Sequence, residues 1–418
     1  MEKLAIIGTG IAGMACAHFL RGEYDITVYE QENYVGGHTN TVTVDEEGTP
    51  VHVDTGFMVF NHVTYPLLTQ LFKELEVPTM PTSMSFSVQH VPSGLEYCGS
   101  GLNGLFSQRK NIFSPRFVRM LMQISRFNKH GITILDDPGY ETYTLQDYCK
   151  EQQLGEDFLY KYLIPMSSAV WSTPMDLMLQ FPAKTLIRFF FNHGFLGLDT
   201  QHQWYTVPGG SRMYRDKIIA PFRERIRTGN AALAVSRENG KVNVKMKDGS
   251  EEIFDKVILA CHGDQTYRIV QQKTADEERL LKCFHYQRNK AILHTDESAM
   301  PKLRRVWSSW NYRIEERAGQ LQPSTIYWMN SLQNVSQKKN YFVSINGSGI
   351  DEKKILWEKE YTHPLFDVPA MLAQKELQTL NETGPVYYCG SYFRYGFHED
   401  ALLSSVTLCE KMLGKKVL

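Results

Sequence analysis

The first thirty residues leave this chain few folds to choose from. Leu4-Ala5-Ile6-Ile7 is a short apolar run of the kind that forms a strand buried on both faces. It enters Gly8-x-Gly10-x-x-Gly13, continues into a helix of small residues, and returns as Ile26-Thr27-Val28-Tyr29, ending at Glu30. This strand, glycine turn, helix and strand make a βαβ unit suited to a dinucleotide. Gly8 allows the tight turn, Gly10 lets the backbone approach a pyrophosphate, and Gly13 lets helix and strand pack closely. Ile11 and Ala12 open the helix whose N-terminus faces the phosphates. Glu30, with Gln31 beside it, is placed to bond ribose hydroxyls, and its charge disfavours a 2′-phosphate. A second match, Gly99-Ser100-Gly101-Leu102-Asn103-Gly104, follows a hairpin and leads to no acid-terminated strand, so a loop is expected there.

A chain of 418 residues is too long for one simple core and suits two domains. A formal net charge of −1 argues against a general nucleic-acid binder. The seven cysteines are scattered, odd in number and without metal-ligand spacing, which predicts reduced thiols, no metal site and a cytoplasmic protein. The N-terminus runs straight into the nucleotide fold without a signal peptide, and no apolar run is long enough to span a bilayer.

Further along, a hairpin turning at Asp45 to Thr49 leads to Val53-Asp54-Thr55-Gly56, and a helix is predicted over Tyr65 to Val77, ended by Pro78. A hairpin of Met84 to Val88 and Leu95 to Cys98 opens a second domain, helical from Arg116 to Phe191. The chain then returns: Pro208-Gly209-Gly210-Ser211 opens a charged helix ending near Ile226. Strands are expected at Ala231 to Arg237, Lys241 to Met246 and Lys256 to Cys261, and at Ala291 to Thr295, Ser324 to Met329 and Tyr341 to Ile345. Val386-Tyr387-Tyr388-Cys389 meets Gly390-Ser391 before a final helix carrying Leu402, Val406, Cys409 and Leu413 on one face. The expected fold class is α/β. A nucleotide domain (residues 1–78, 202–285 and 375–418) is interleaved with an α+β substrate domain (79–201 and 286–374).

The glycine motif with Glu30, Gly36-Gly37-x-Thr39, Asp54-x-Gly56, Pro208-x-Gly210-Ser211 and the terminal glycine strand-end together resemble the flavin-containing amine oxidase and phytoene desaturase superfamily. Trp307-Ser308-Ser309-Trp310-Asn311-Tyr312, Thr362-His363-Pro364 and Gly396-Phe397-His398-Glu399-Asp400 look like a bacterial family of NAD/FAD-binding oxidoreductases. Similar domains occur fused to plant cyclopropane fatty acid synthases. The resemblance implies a Rossmann-like FAD-binding domain of the amine oxidase type and FAD as cofactor. It places Gly37, His38, Thr39, Gly390, Ser391 and Ala401 around that cofactor, and the backbone of Ala232 against adenine. His38 stands where the superfamily usually has arginine, replacing a constant positive charge by a titratable one, and Ser391 stands where it usually has aspartate.

By the same resemblance Lys290 lies near a strand where many amine oxidases keep a lysine beside the flavin, the alternative being a solvated lysine at a strand end. His398 is the nominated proton acceptor, while Glu399 and Asp400 suit a helix cap. Trp310, Trp328 and Tyr395 are expected to line a substrate pocket, the alternative for aromatics in strands being simple core. Arg116 to Lys129 is basic with an apolar stripe, which fits either peripheral membrane contact or a packed amphipathic helix. Leu186 to Leu198, rich in phenylalanine, fits either more apolar surface or a channel lining. The leading expectation is an FAD oxidoreductase taking hydride from an apolar, lipid-like small molecule, in its specific form a modified fatty acyl chain. The alternatives are an amine oxidase and a non-catalytic FAD-bound scaffold partnering a lipid methyltransferase.

Overall fold

The computed structural model describes residues 1–197 and 200–418, so Leu198, the expected end of the phenylalanine-rich segment, lies outside the described residues. Its nucleotide half is built on a five-stranded parallel sheet whose strands come, in spatial order, from Ile226–Arg227, Asp25–Tyr29, Lys3–Ile7, Lys256–Leu259 and Val386–Tyr388. Leu4 to Ile7 and Val257 to Leu259 are buried because helices cover both faces, which explains why these strands read as apolar runs rather than as alternation. The helix Ile11–Leu20 packs against the last helix, His398–Leu413, so the two ends of the chain form one layer.

A seven-stranded sheet carries the other half. Its order is Ile355–Leu365, His285–His294, Phe342–Ile345, Gln320–Trp328, Trp310–Arg317, Phe86–His90 and Leu95–Cys98. All neighbours are antiparallel except Trp310–Arg317 against Phe86–His90, which run parallel. The helical segment between Pro115 and Asn192 packs beside it, with Tyr148, Phe158 and Phe190 fully buried. Smaller ladders join the halves: Trp204–Thr206 pairs with both Phe60–Asn61 and Met80–Thr82.

Three local expectations are corrected. The decoy glycine stretch is a helical turn, Gly101–Leu105, not a loop; a Cβ on Gly104 would stand 2.4 Å from Cys98 Sγ, so that glycine serves packing. The charged helix ends at Ile219, passes through a 3-10 stretch over Ala220–Arg225, and Ile226 begins a sheet strand instead. The strand Trp310–Arg317 was not bounded by the sequence reading, and Ile355–Leu365 escaped it. The second alternates partly buried and exposed residues from Ile355 to Glu360 as an edge strand and is studded with lysine and glutamate that mask its period.

Two glycines of the opening motif are required by the fold itself. Gly8 adopts φ +106° with Ala260 O 2.8 Å from where a Cβ would stand, and a Cβ on Gly13 would lie 1.9 Å from Gly8 O. Gly10 is different, since nothing lies within 4 Å of its Cβ position. Gly13→Ala is therefore expected to destabilise the FAD-free protein by about 3 kcal/mol. Gly10→Ala should leave its melting temperature unchanged while weakening FAD binding. Thermal melts with and without added FAD check both, and an equal loss of stability in the two variants contradicts the distinction.

Candidate active site

Two cavities meet at the C-terminal edge of the parallel sheet and share Gly10, His38, Ala260, Cys261, His262 and Thr362. The one beside the nucleotide motif, about 340 Å³, is bounded by Gly8, Glu30, Gln31, Gly37 and Ala232. The other, about 290 Å³, extends into the substrate half past Ile11, Ala12, Gly390, Ser391, His398 and Ala401. Two connected chambers on either side of a bare glycine turn fit a dinucleotide with its phosphates at the constriction. The fit is reinforced by the close approach of Gly37 to Gly10: a Cβ on Gly37 would stand 3.3 Å from Gly10 Cα, so both walls present backbone. Buried His38 Nε2 has no partner within the protein.

Glu30 closes the first chamber as a preorganised acceptor. One of its oxygens accepts from Thr9 N at 3.0 Å and from the Thr9 hydroxyl, and the other accepts from Glu32 N at 2.9 Å. Anchored this way, its carboxylate keeps lone pairs for ribose hydroxyls. A cluster of four imidazoles surrounds the junction. His38 stacks on Tyr361 with ring centres 4.9 Å apart and stands 5.1 Å from His363 and 6.2 Å from His262, while His398 lies deeper in the second chamber. Burial lowers His38, His363 and His398 to about 3 and His262 to about 4, with neighbouring imidazoles adding to the shift for His38, His262 and His363. Burial thus disfavours the charged form of His38 in the cofactor-free protein, so it does not supply an arginine's constant positive charge. Compensation for phosphate falls to the N–H groups opening Ile11–Leu20.

His398 is the first residue of the last helix. Its ring stacks on Phe57 at 3.9 Å and 11°, and Nε2 lies 2.6 Å from Tyr214 Oη and 3.2 Å from Thr39 Oγ1. The two acids after it are structural. Glu399 accepts from Leu67 N and Leu68 N at 2.9 and 3.0 Å, and Asp400 accepts from Phe397 N at 2.9 Å. Burial raises both, Asp400 to about 7.

Several expected site residues are moved by the structure. Thr39 is fully buried and lines neither chamber; its hydroxyl holds Tyr214 and His398 instead of a cofactor. Gly13 likewise lies under the turn rather than on a cavity wall. Lys290 is on the surface, half exposed and paired with Glu358 at 2.8 Å, because its strand turns that position outward; the flavin-side lysine is withdrawn. Trp328 is also away from the cavity, with its indole N–H donating to Asn340 and Arg304 stacked over its ring. Tyr395 contributes only its carbonyl, which accepts from Trp171 Nε1 at 3.1 Å. Trp310 does line the chamber. The sequence reading missed Phe57, Trp171, Cys261, His262 and His363. Their best signal was position, because Cys261 and His262 directly follow a central strand and His363 sits in the quoted Thr362-His363-Pro364.

The far wall of the second chamber is aromatic and aliphatic. Trp171, Phe189 and Phe397 pack within 4.8 to 5.9 Å of one another, joined by Met58, Val59 and Phe195. Among the described residues, no Asp, Glu, Lys or Arg lines this chamber and no cluster suits a metal ion.

A family model described as flavin containing amine oxidoreductase matches residues 11–340. No curated protein matches the sequence closely. Among solved structures, putrescine oxidase bound to putrescine aligns over 99% of both chains with TM-score 0.68 and 13% identity. The CLA-producing fatty acid isomerase from P. acnes aligns over 98% of both with TM-score 0.67 and 14% identity. Cyclohexylamine oxidase from Brevibacterium oxydans IH-35A aligns over 99% of both with TM-score 0.69 and 12% identity.

Proposed function

The chain belongs to the flavin-containing amine oxidoreductases and is an FAD-dependent oxidoreductase, and from that premise we propose that its substrate is an apolar, lipid-like molecule, in the specific case a modified fatty acyl chain that loses two hydrogens to become unsaturated. The observation that carries this reading is the second chamber's wall, which offers aromatic and aliphatic surface and no carboxylate to an entering ammonium group. When bound, FAD supplies two-electron acceptance, which no side chain can provide. Gly8, Gly10, Gly37 and Glu30 would hold its nucleotide half, and Gly390, Ser391, His398 and Ala401 would border its ring half.

The chain's own groups would then orient the substrate and take up one proton. Trp171, Phe189 and Phe397 exclude water and fix an acyl chain by contact. Loss of two hydrogens from adjacent carbons releases one as hydride and the other as a proton. The neutral imidazoles are the proton acceptors available on this wall, since burial pushes the Cys261 thiol up to about 11 and raises the buried tyrosines. His398 is the best positioned, held between Phe57 and Tyr214, and because burial keeps its basicity low it would take the proton only in concert with loss of the hydride.

Anaerobic mixing of the FAD-loaded protein with saturated and methyl-branched acyl lipids, and separately with putrescine and cyclohexylamine, tests the reading. Loss of oxidised-flavin absorbance with an acyl lipid and none with either amine is expected. Bleaching by the amines alone would establish the amine oxidase instead, with the Trp310 and Tyr327 rings, parallel within 14°, as the surface for the amine. A flavin that no member of either class reduces, in a protein that holds a lipid methyltransferase through purification, would establish the scaffold.

A further inference from the structure

The segment from Leu102 to Ile132, away from the cavities, carries an exposed surface that the chemistry above does not use. Six of the sixteen large hydrophobic side chains exposed among the described residues fall within it, led by Phe113 at 87%, Leu102 at 75% and Met122 at 62%. On the helix Pro115–Thr133 the inner face is occupied, with Phe117, Met120 and Phe127 buried. The outer face presents Val118, Met122 and Ile132, which at 100° per residue fall on one stripe with Ser125 and Lys129.

Charge separates this surface from an ordinary solvated face. From Gly99 to Leu135 the sequence has six Lys or Arg residues and no Asp or Glu, in a chain with 46 acidic residues. Arg109, Lys110, Arg116, Arg119, Arg126 and Lys129 are all exposed, and among the described residues only Arg116 has an ion-pair partner, Asp157. Solvated helices ordinarily mix both signs, so an apolar helix face whose own segment has no acid, and whose cations other than Arg116 have no ion-pair partner among the described residues, has a complement in a surface that is both anionic and oily.

We propose that this face, centred on Phe113 and the outer stripe of Pro115–Thr133, docks the protein on an anionic lipid bilayer. The cations meet the headgroups and Phe113, Val118 and Met122 enter the acyl boundary. The same helix is joined to the chamber through its inner side. Gly131 lies so close to the helix Ala183–Asn192 that a Cβ there would stand 3.3 Å from Ile187 Cγ2, and that second helix carries Phe189 on the cavity wall. The docking stands independently of which substrate the chamber takes.

Co-sedimentation of the full-length FAD-loaded protein with vesicles tests it. One set contains equal phosphatidylglycerol and phosphatidylcholine, and the other phosphatidylcholine alone. Binding is expected to the anionic vesicles only, weakening steeply with added salt. Arg119→Gln and Lys129→Gln should each lower it about fivefold. The double variant Phe113→Ser, Met122→Ser should lower it at least tenfold, with flavin content and circular dichroism unchanged because both positions are exposed. Equal binding to neutral vesicles, no binding to either set, or undiminished binding of the double variant overturns the proposal. So does a concentration-dependent dimer that the double variant abolishes, which would assign the face to a second copy of the chain.

Discussion

Acidification from pH 7 to pH 5 is expected to lower the melting temperature of the FAD-free protein by roughly 10 °C or more, well before ordinary carboxylates titrate. The cause is the imidazole cluster. His38, His262, His363 and His398 are held near 3 to 4 in the folded protein by burial, against 6.5 in the unfolded chain. Below pH 6.5 the unfolded chain therefore binds protons that the folded protein refuses. The stability is fully present above 6.5 and is lost as pH falls towards 3 to 4. At pH 5 each group contributes about 1 to 2 kcal/mol of that loss. Asp400 works in the opposite direction. Its carboxyl, raised to about 7, favours the folded state as pH falls and cancels about one histidine. His193 and His294, also lowered to about 4, add to the loss. Scanning calorimetry from pH 8 to pH 5 measures the slope. His363→Gln should flatten it by close to one proton, and a melting temperature constant across that window contradicts neutral burial of the cluster.

Replacing Asp54 by alanine should destabilise the protein by about 3 to 5 kcal/mol and abolish stoichiometric FAD retention. Asp54 is fully buried at the end of the hairpin strand Thr49–Asp54, and burial raises its carboxyl above the usual range while its donors oppose that shift. It accepts from Ser211 N at 2.9 Å and the Ser211 hydroxyl at 2.8 Å, from Thr41 Oγ1 at 2.5 Å and from Gln333 Nε2 at 2.6 Å, and its own N–H donates to Gln333 Oε1. One carboxylate thus ties the hairpin, the start of the helix Arg212–Ile219 and a helix of the substrate half. Removing it takes the acceptor from four donors, of which Gln333 Nε2 keeps a second one, Thr206 Oγ1. Three residues later Phe57 supports the His398 ring, so the effect reaches the cavity. Urea unfolding and bound-flavin stoichiometry of Asp54→Ala and Asp54→Asn check this. Asn, which keeps an acceptor, should retain part of the stability, and an alanine variant as stable as the parent refutes the hub.

Much of the nucleotide half was legible because its signals are local. Gly8 and Gly13 are demanded by backbone contacts a few residues away, and Glu30 is set by the length of one βαβ unit, so spacing alone locates them. Asp54 and Ser211 belonged to motifs noted in the chain, yet their direct bond across 157 residues was not visible there. The aromatic nominations fared unevenly for a physical reason. Trp310 and Trp328 lie on neighbouring antiparallel strands, Trp310–Arg317 and Gln320–Trp328, and both suit a strand by propensity, but only the first lines the chamber. Nothing in their flanking residues records which one the fold leaves against open space.

The sequence by itself determined the cofactor-binding unit, the presence of a second β-rich half and the acid-free apolar segment, because each is written in residues close together along the chain. Tertiary structure alone decided that Lys290 faces solvent, that the Thr39 hydroxyl supports His398, and that four histidines spread between positions 38 and 398 converge on one junction. Their neutrality follows from that convergence. Desolvation depends on what surrounds a side chain in space, and the order of residues along the chain does not contain it.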